Sequence, residues 1–337
     1  MPSTLSDVAR EAGVAPSTVA DILRGRPGYS PDTCRRIVET AERLNFVPNY
    51  FARSLQRKSS RTVGVAGHLE ATGVTGPMLK AIAENLTLRG YMPLFCECSH
   101  YPEGEVRAVR ELRGRFVDGI ILDATSDAVL PNHIPCVMIR SIGVANHPCV
   151  VTDRFEAFAY GVRWLAERGH RRIAFLGADN AEAMRNPSNT HRLKMDGYRK
   201  AMEELGLFDE ALLLDCGSKP GDTREFVRRG GDFFKTITAI LASNDRIAIE
   251  AMTTLSALGV RVPEECSVIG FDDTEFAVAV SPQLTTFQPR RAEVGAKAVE
   301  MVLDLIAGKE VESVTLVPRL VERESAGPCR REVKRKR

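Results

Sequence analysis

The side chains best placed to do chemistry stand immediately after short apolar runs. His68 follows Val63-Gly64-Val65-Ala66, Asp153 follows Val150-Val151, Asn244 and Asp245 follow Ala239–Ala242, and Asp272 and Asp273 follow Val268–Gly270. Asp123, Arg140 and Asp179 occupy similar places. Carboxylates and amides at such points accept hydrogen bonds from the hydroxyls of a small polar molecule. The acid pair Asp272-Asp273 could instead serve a metal or a proton transfer, but no arrangement of partners supports that use. The six histidines are scattered, and His68, the most suggestive, has no nucleophile beside it. His170, in a helix-to-strand turn, reads as structural. The chain has no GxxxxGK[ST] phosphate cradle, no GxGxxG after its first strand, no GxSxG elbow and no HExxH pair. These absences argue against an enzyme and against a resident cofactor or metal. Cys96-x-Cys98 is the only close cysteine pair, and lacking a second pair of ligands it reads, like the other six cysteines, as free thiol.

A second chemical segment is Pro48-Asn49-Tyr50-Phe51-Ala52-Arg53-Ser54-Leu55-Gln56-Arg57-Lys58. It is basic and amphipathic, with Asn49 as its helix cap, and too short to be a stable helix alone. A segment ordered only against DNA fits that profile. Leu55 would wedge between base steps while Arg53, Arg57 and Lys58 meet phosphates.

The elements that must position these residues are of two kinds. Thr4 caps a first helix, with Asp7 three residues on completing a capping box, and Leu5, Val8, Ala9 and Ala12 share one face. Gly13 stops that helix, and Pro16 opens a second whose apolar positions are Val19, Ile22 and Leu23. Ser30-Pro31 opens a third. Two short helices across a glycine-centred turn are the helix-turn-helix pattern. From residue 62 onward, strands alternate with helices. Strands are predicted at 63–66, 93–96, 119–122, 136–139, 150–151, 173–176, 211–214, 239–242, 268–270 and 314–317. Helices are predicted at 78–89, 158–168, 193–205, 246–258 and 291–307. The fold class is therefore an all-α helix-turn-helix head plus an α/β two-lobed core of doubly wound parallel sheets. Ligands of such sheets sit outside the carboxyl ends of the strands, here in the cleft between lobes.

Charge supports the division. The net charge is only +2, but residues 1–61 carry ten Arg/Lys against six Asp/Glu, and residues 329–337 carry six against one. The middle is acidic. A basic head on an acidic body implies a polyanionic partner at one end. The basic tail reads as a solvated extension. The start of the chain lacks a signal-peptide pattern and no run is long enough to span a membrane, so a cytoplasmic location is expected.

Taken together, Asp7-Val8-Ala9, Ala12-Gly13-Val14, Ser17-Thr18-Val19, Val47-Pro48-Asn49 and Ala52-Arg53-Ser54-Leu55 resemble the lactose/galactose repressor family. The likeness continues through Val117-Asp118-Gly119, Gly169-His170-Arg171, Asp196-Gly197-Tyr198, Ser243-Asn244-Asp245 and Ser267-Val268-Ile269-Gly270-Phe271-Asp272-Asp273, covering nearly the whole chain. It implies a core like that of periplasmic binding proteins. It also implies a transcription regulator, most simply a repressor, acting as a homodimer on a pseudo-palindromic operator. Its switch would be a small polar effector, a sugar or sugar derivative. By this resemblance Pro16, Ser17 and Asp21 read the major groove, Thr18 touches phosphate, and Arg24 and Arg26 add phosphate or base contacts. Leu55 is the hinge leucine. In the core, Asp272 accepts from effector hydroxyls, with Asn244 and Asp153 as further polar contacts. The expected division is 1–48 (head), 49–58 (hinge helix), 59–329 (core) and 330–337 (tail). Within the core the first lobe takes about 62–157 and 288–316, the second about 158–287 and 317–329.

Several positions depart from the family pattern. Ala15 and Ala20 replace frequent serines. Asp21 replaces a basic or polar residue, either to accept from cytosine N4 or to repel phosphate in wrong registers. Lys194 stands where the family has a pocket arginine, with Arg192 two residues earlier as a substitute. Ala71–Thr75 lacks the aromatic pair that packs on a sugar face, and the Gln288-Pro289 pair is displaced by one position.

Overall fold

The computed structural model describes residues 3–47, 59–67, 75–98, 102–123, 134–140, 147–177 and 190–330. The chain divides into two compact units, Met1–Ser60 and Arg61–Arg337.

In the first unit, α1 (Leu5–Ala12), α2 (Pro16–Ile22) and α3 (Pro31–Arg43) enclose a small core of Val8, Ala9, Ala12, Val19, Ile22, Ile37 and Ala41. The capping box expected at Thr4 is present: the Asp7 amide donates to the Thr4 hydroxyl at 3.3 Å, and the Thr4 amide to Asp7 Oδ2 at 3.0 Å. Gly13 ends α1 at φ 65°, the left-handed conformation that glycine adopts without cost, and the Val14 amide closes back on the Ala9 carbonyl at 3.0 Å. Ser30 caps α3 through the Thr33 amide at 3.2 Å.

The second unit holds two six-stranded sheets. One is built from β1 (Thr62–Gly67), β2 (Met92–Glu97), β3 (Gly119–Asp123), β4 (Cys136–Arg140), β5 (Cys149–Thr152) and β11 (Val314–Leu316), in the order β11-β5-β4-β3-β1-β2. The other contains β6 (Ile173–Gly177), β7 (Leu213–Asp215), β8 (Ala239–Ala242), β9 (Ser267–Phe271), β10 (Thr285–Gln288) and β12 (Arg319–Val321), in the order β12-β10-β9-β8-β6-β7. Between the strands run α4 (Gly76–Leu88), α5 (Pro102–Gly114), α6 (Arg154–Glu167), α7 (Thr190–Glu204), α8 (Asp222–Phe234), α9 (Asp245–Ala257), α10 (Phe276–Ala279) and α11 (Arg291–Ile306). Helices on both faces leave the central strands buried throughout, which is why β6, β8 and β9 read as unbroken apolar runs rather than alternating ones.

Three differences from the sequence expectation have physical causes. The sheets are not wholly parallel: β12, unforeseen, pairs antiparallel with β10, Thr286 opposite Val321. The chain reaches it from β11, in the other sheet, after only two residues and without the helical crossover that sets a strand parallel to its neighbour. The strand expected at 211–214 is a 3-10 turn at Glu210–Leu212 followed by β7, because the Asp209 side chain accepts from the Ala211 amide at 3.0 Å. Helix α6 begins four residues earlier than expected, because Asp153 caps it through the Glu156 amide at 2.9 Å.

The chain crosses between sheets three times. It leaves β5 for α6, whose Phe158 and Leu165 join the core of the second sheet. It leaves β10 for α11, whose Val294, Ala298 and Val302 join the core of the first. It then passes from β11 to β12. Helices α6 and α7 pack so closely that a Cβ on Gly197 would lie 2.1 Å from the Phe155 carbonyl oxygen. The crossovers bring charged residues from both lobes to the strand ends.

Candidate nucleic-acid interface and effector site

In the head, Val19 and Ile22 turn into the core, which leaves Pro16 and Ser17 exposed at the start of α2 and Thr18 half-buried beside them. With Ala15 at its N-cap, α2 has no side-chain cap. Pro16 carries no amide hydrogen and the Thr18 amide donates to the Ala15 carbonyl at 3.0 Å, so the Ser17 amide is the first-turn donor left for an acceptor such as phosphate. Asp21 has company that neither sequence reading included. Its Oδ1 lies 3.1 Å from Arg26 and 3.7 Å from Arg24, and Oδ2 accepts from the Tyr29 hydroxyl at 3.3 Å. The arginines following the helix are thus tied to it by one carboxylate. Asn49, Arg53, Leu55, Arg57 and Lys58 lie outside the described residues, as do His68, Asp179 and the Arg140 side chain.

In the core, the residues after β9 occupy an unusual backbone. Asp272 has φ 123° and Asp273 φ 51°, both in territory that non-glycine residues rarely enter and that costs about 1–3 kcal/mol apiece. Side-chain and backbone bonds hold them there. The Asp272 amide donates to the Phe287 carbonyl at 2.9 Å. Arg291 donates to Asp272 Oδ1 at 2.7 Å and to its carbonyl at 3.3 Å. Asp273 accepts from Arg323 and from Gln288 Nε2, each at 2.7 Å. Beside them, buried Asp245 accepts from the Thr274 amide at 2.7 Å and from the Thr274 and Thr286 hydroxyls. Burial pushes the Asp245 carboxyl up to about 6, with Asp272 adding to the rise and the two threonines opposing it.

Lys194 is carried inward on α7 and is 7% exposed. Its Nζ donates to the Ser243 carbonyl at 2.7 Å and sits 3.8 Å from the centre of the Phe271 ring. Burial lowers it to about 7; Arg154 and Arg291 push the same way, against Asp272 and Asp245. Arg154 is lowered to about 10, first by burial and then by Arg291, against Asp123 and Asp272. His191, on the same helix, is held near 4 by burial and then by Lys194.

Asp272 and Lys194, both expected to face an effector, stand in one electrostatically coupled group with Arg154 and Arg291, which the sequence did not single out. Their signal was positional: each is the first helical residue after the chain changes sheets. Arg192 lies 3.5 Å from Asp196, one turn along α7. The side-chain oxygens of Asn244 and Asp153 cap α9 and α6, each at 2.9 Å, which leaves the Asn244 amide hydrogens for other partners. Among the described residues no cluster of His, Cys, Asp and Glu suits a metal ion, and no helix is long and apolar enough to cross a membrane.

Comparison with known proteins gives a consistent picture. Residues 4–49 match bacterial regulatory proteins of the lacI family, and residues 162–326 match the periplasmic binding protein-like domain. Catabolite control protein A of Priestia megaterium is 29% identical over 330 residues, 95% of this chain and 97% of its own. The HTH-type transcriptional repressor PurR of Vibrio cholerae is 30% identical over 335 residues, 96% of this chain and 98% of its own. A lac repressor dimer bound to operator and the anti-inducer ONPF shares the fold, with a TM-score of 0.84 at 24% identity over 96% of this chain and 99% of that one. The complex of the transcriptional regulator CelR with cellobiose aligns with a TM-score of 0.67 at 26% identity, again over 96% and 99%. From its capped first helix to the strand-end carboxylates of its second sheet, the chain belongs to the lacI family of bacterial regulatory proteins.

Proposed function

We propose that this protein is a sequence-specific transcription regulator, a repressor in the simplest form, whose operator binding is switched by a small polar metabolite. The observation that carries this is α2, whose apolar side is buried while Pro16 and Ser17 stand exposed at its uncapped start. Binding is by a homodimer, because one helix of seven residues reads too few bases and a two-fold pair doubles the site. Exposed apolar side chains in both lobes support self-association: Leu88, Met92 and Phe95 around the edge strand β2, and Phe276 and Val278 on α10. The protein works in the cytoplasm and does no catalysis.

The division we propose is 1–48 for the DNA-binding domain, 49–58 for the hinge and 59–329 for the effector core, with 330–337 as a tail. Pro16, Ser17, Thr18, Arg24 and Arg26 contact DNA, Asp21 fixes the two arginines, and Asn49, Arg53, Leu55 and Arg57 form the hinge contacts. Lys194, Asp272, Asn244, Asp153 and His68 face the effector. Selection of operators from random duplexes with the full chain tests the reading. Enrichment of a pseudo-palindrome whose affinity falls steeply with salt is expected. Failure to enrich any sequence would contradict it.

A further inference from the structure

The charge of the effector follows from the cluster at the strand ends, given the effector reading proposed above for those residues. The Lys194 amine is almost wholly removed from water, and among the described residues its partners are one neutral carbonyl, Ser243, and the ring faces of Phe271 and Phe158. No described carboxylate lies within ion-pair distance of it. A buried cation without a matched anion is costly, and that cost disappears when a ligand brings the anion.

Asp272, the acceptor expected for ligand hydroxyls, is already committed. Arg291 pairs with it at 2.7 Å, and both side chains are only 15% exposed. A carboxylate held by a guanidinium has less capacity left for neutral hydroxyls. Arg154 adds a third cation, electrostatically coupled to both Arg291 and Lys194. Against these stand Asp272 and Asp123, while Asp245 is turned to Thr274 and Thr286. Among the described residues, Lys194 is thus left without a carboxylate at ion-pair distance where the chain crosses between sheets.

We propose that the effector is a hydroxylated metabolite bearing a carboxylate or phosphate, whose oxyanion is received by Lys194, Arg291 and Arg154. Arginine forks grip either group in a bidentate way and lysine adds a point charge. Asn244 and the remaining oxygen of Asp272 meet hydroxyls at the other end of the ligand.

The test is calorimetric titration and thermal shift of the full chain with matched sets: glucose, glucuronate, gluconate and glucose phosphate, the galactose and ribose counterparts, and inorganic phosphate. At least one anionic member should bind and raise the melting temperature while its neutral parent does not. A carboxylate response identifies a sugar acid, and a phosphate response a sugar phosphate. Arg291→Gln and Lys194→Met should each weaken that binding by at least ten-fold. Arg154→Gln provides a further variant should either of the first two fold poorly, as circular dichroism would report. Equal affinity for a neutral parent, no response to any anionic member, or unchanged anion affinity in the variants would overturn the proposal. Neutral sugars bound in an Asp272-dependent way would overturn the charge assignment alone and leave the effector reading standing. Anion binding indifferent to Asp272→Asn and to all three cation variants would overturn both.

Discussion

At the scale of single residues, Asp21 separates two kinds of electrostatics. Removing a carboxylate from a DNA-facing surface should strengthen binding if only net charge mattered. Here the same carboxylate holds Arg26 at 3.1 Å and accepts from Tyr29. Asp21→Asn should therefore weaken specific binding several-fold while leaving non-specific binding equal or tighter, as fluorescence anisotropy on the selected operator and on random duplex would report. A gain in both would show that Asp21 acts only through charge. Titration offers a second residue-scale prediction. Asp245 is raised to about 6, so its contribution to stability is full below its unfolded value of 3.8 and is lost as pH rises through about 6. Asp245→Asn should flatten the loss of stability between about pH 4 and pH 6 in denaturant melts. Lys194 titrates near 7 among Asp272 at the end of β9, Arg154 on α6, Arg291 on α11, Asp245 on α9 and His191 on its own helix. Affinity for an anionic effector should decline above neutrality as its charge is lost. Lys194→Met should remove that limb of the pH profile.

At the scale of elements, the sequence was informative wherever local chemistry fixes local structure. The Thr4–Asp7 box, the Gly13 stop and the Pro16 and Ser30 starts depend on residues within one turn of one another, so the head could be read without its tertiary context. Strands buried on both faces could be found as apolar runs. What escaped was set by distant partners. β12 is a strand because Gln288 lies beside Arg319, and neither residue announces the other. Arg291 reaches Asp272 across 19 positions, so its part in the site belongs to the crossover and not to any motif. Helix packing gives the prediction at this scale. Gly197→Ala places a methyl 2.1 Å from the Phe155 carbonyl, against backbone that cannot swing aside as a side chain would. It should cost about 3 kcal/mol, the upper part of the usual overpacking range. The loss can be followed by fluorescence of Trp164, the single tryptophan, which is buried in α6. A change within about 0.5 kcal/mol, the ordinary scatter of surface substitutions, would mean that α6 and α7 part easily.

At the scale of the whole molecule, a basic head and a larger acidic body share one chain, and the residues proposed to face the effector lie where that body's two sheets exchange strands and helices. With the cations on the crossovers, the anion proposed to bind them would touch segments anchored in both lobes: Arg154 leads from β5 into the second core, and Arg291 from β10 into the first. A ligand that prefers one arrangement of the lobes shifts the population toward it, and by linkage DNA must shift ligand affinity equally. Sequence-specific operator binding by a two-fold pair is what joins head and body into one switch. The most direct measurement is the equilibrium affinity of the full chain for its selected operator, intact and with one half-site scrambled, across a salt series. We predict a loss of at least a hundred-fold on scrambling one half-site, and a log–log salt slope for the intact operator about twice that of a single half-site. Equal affinity for intact and scrambled operators, with the same salt slope, would contradict the account.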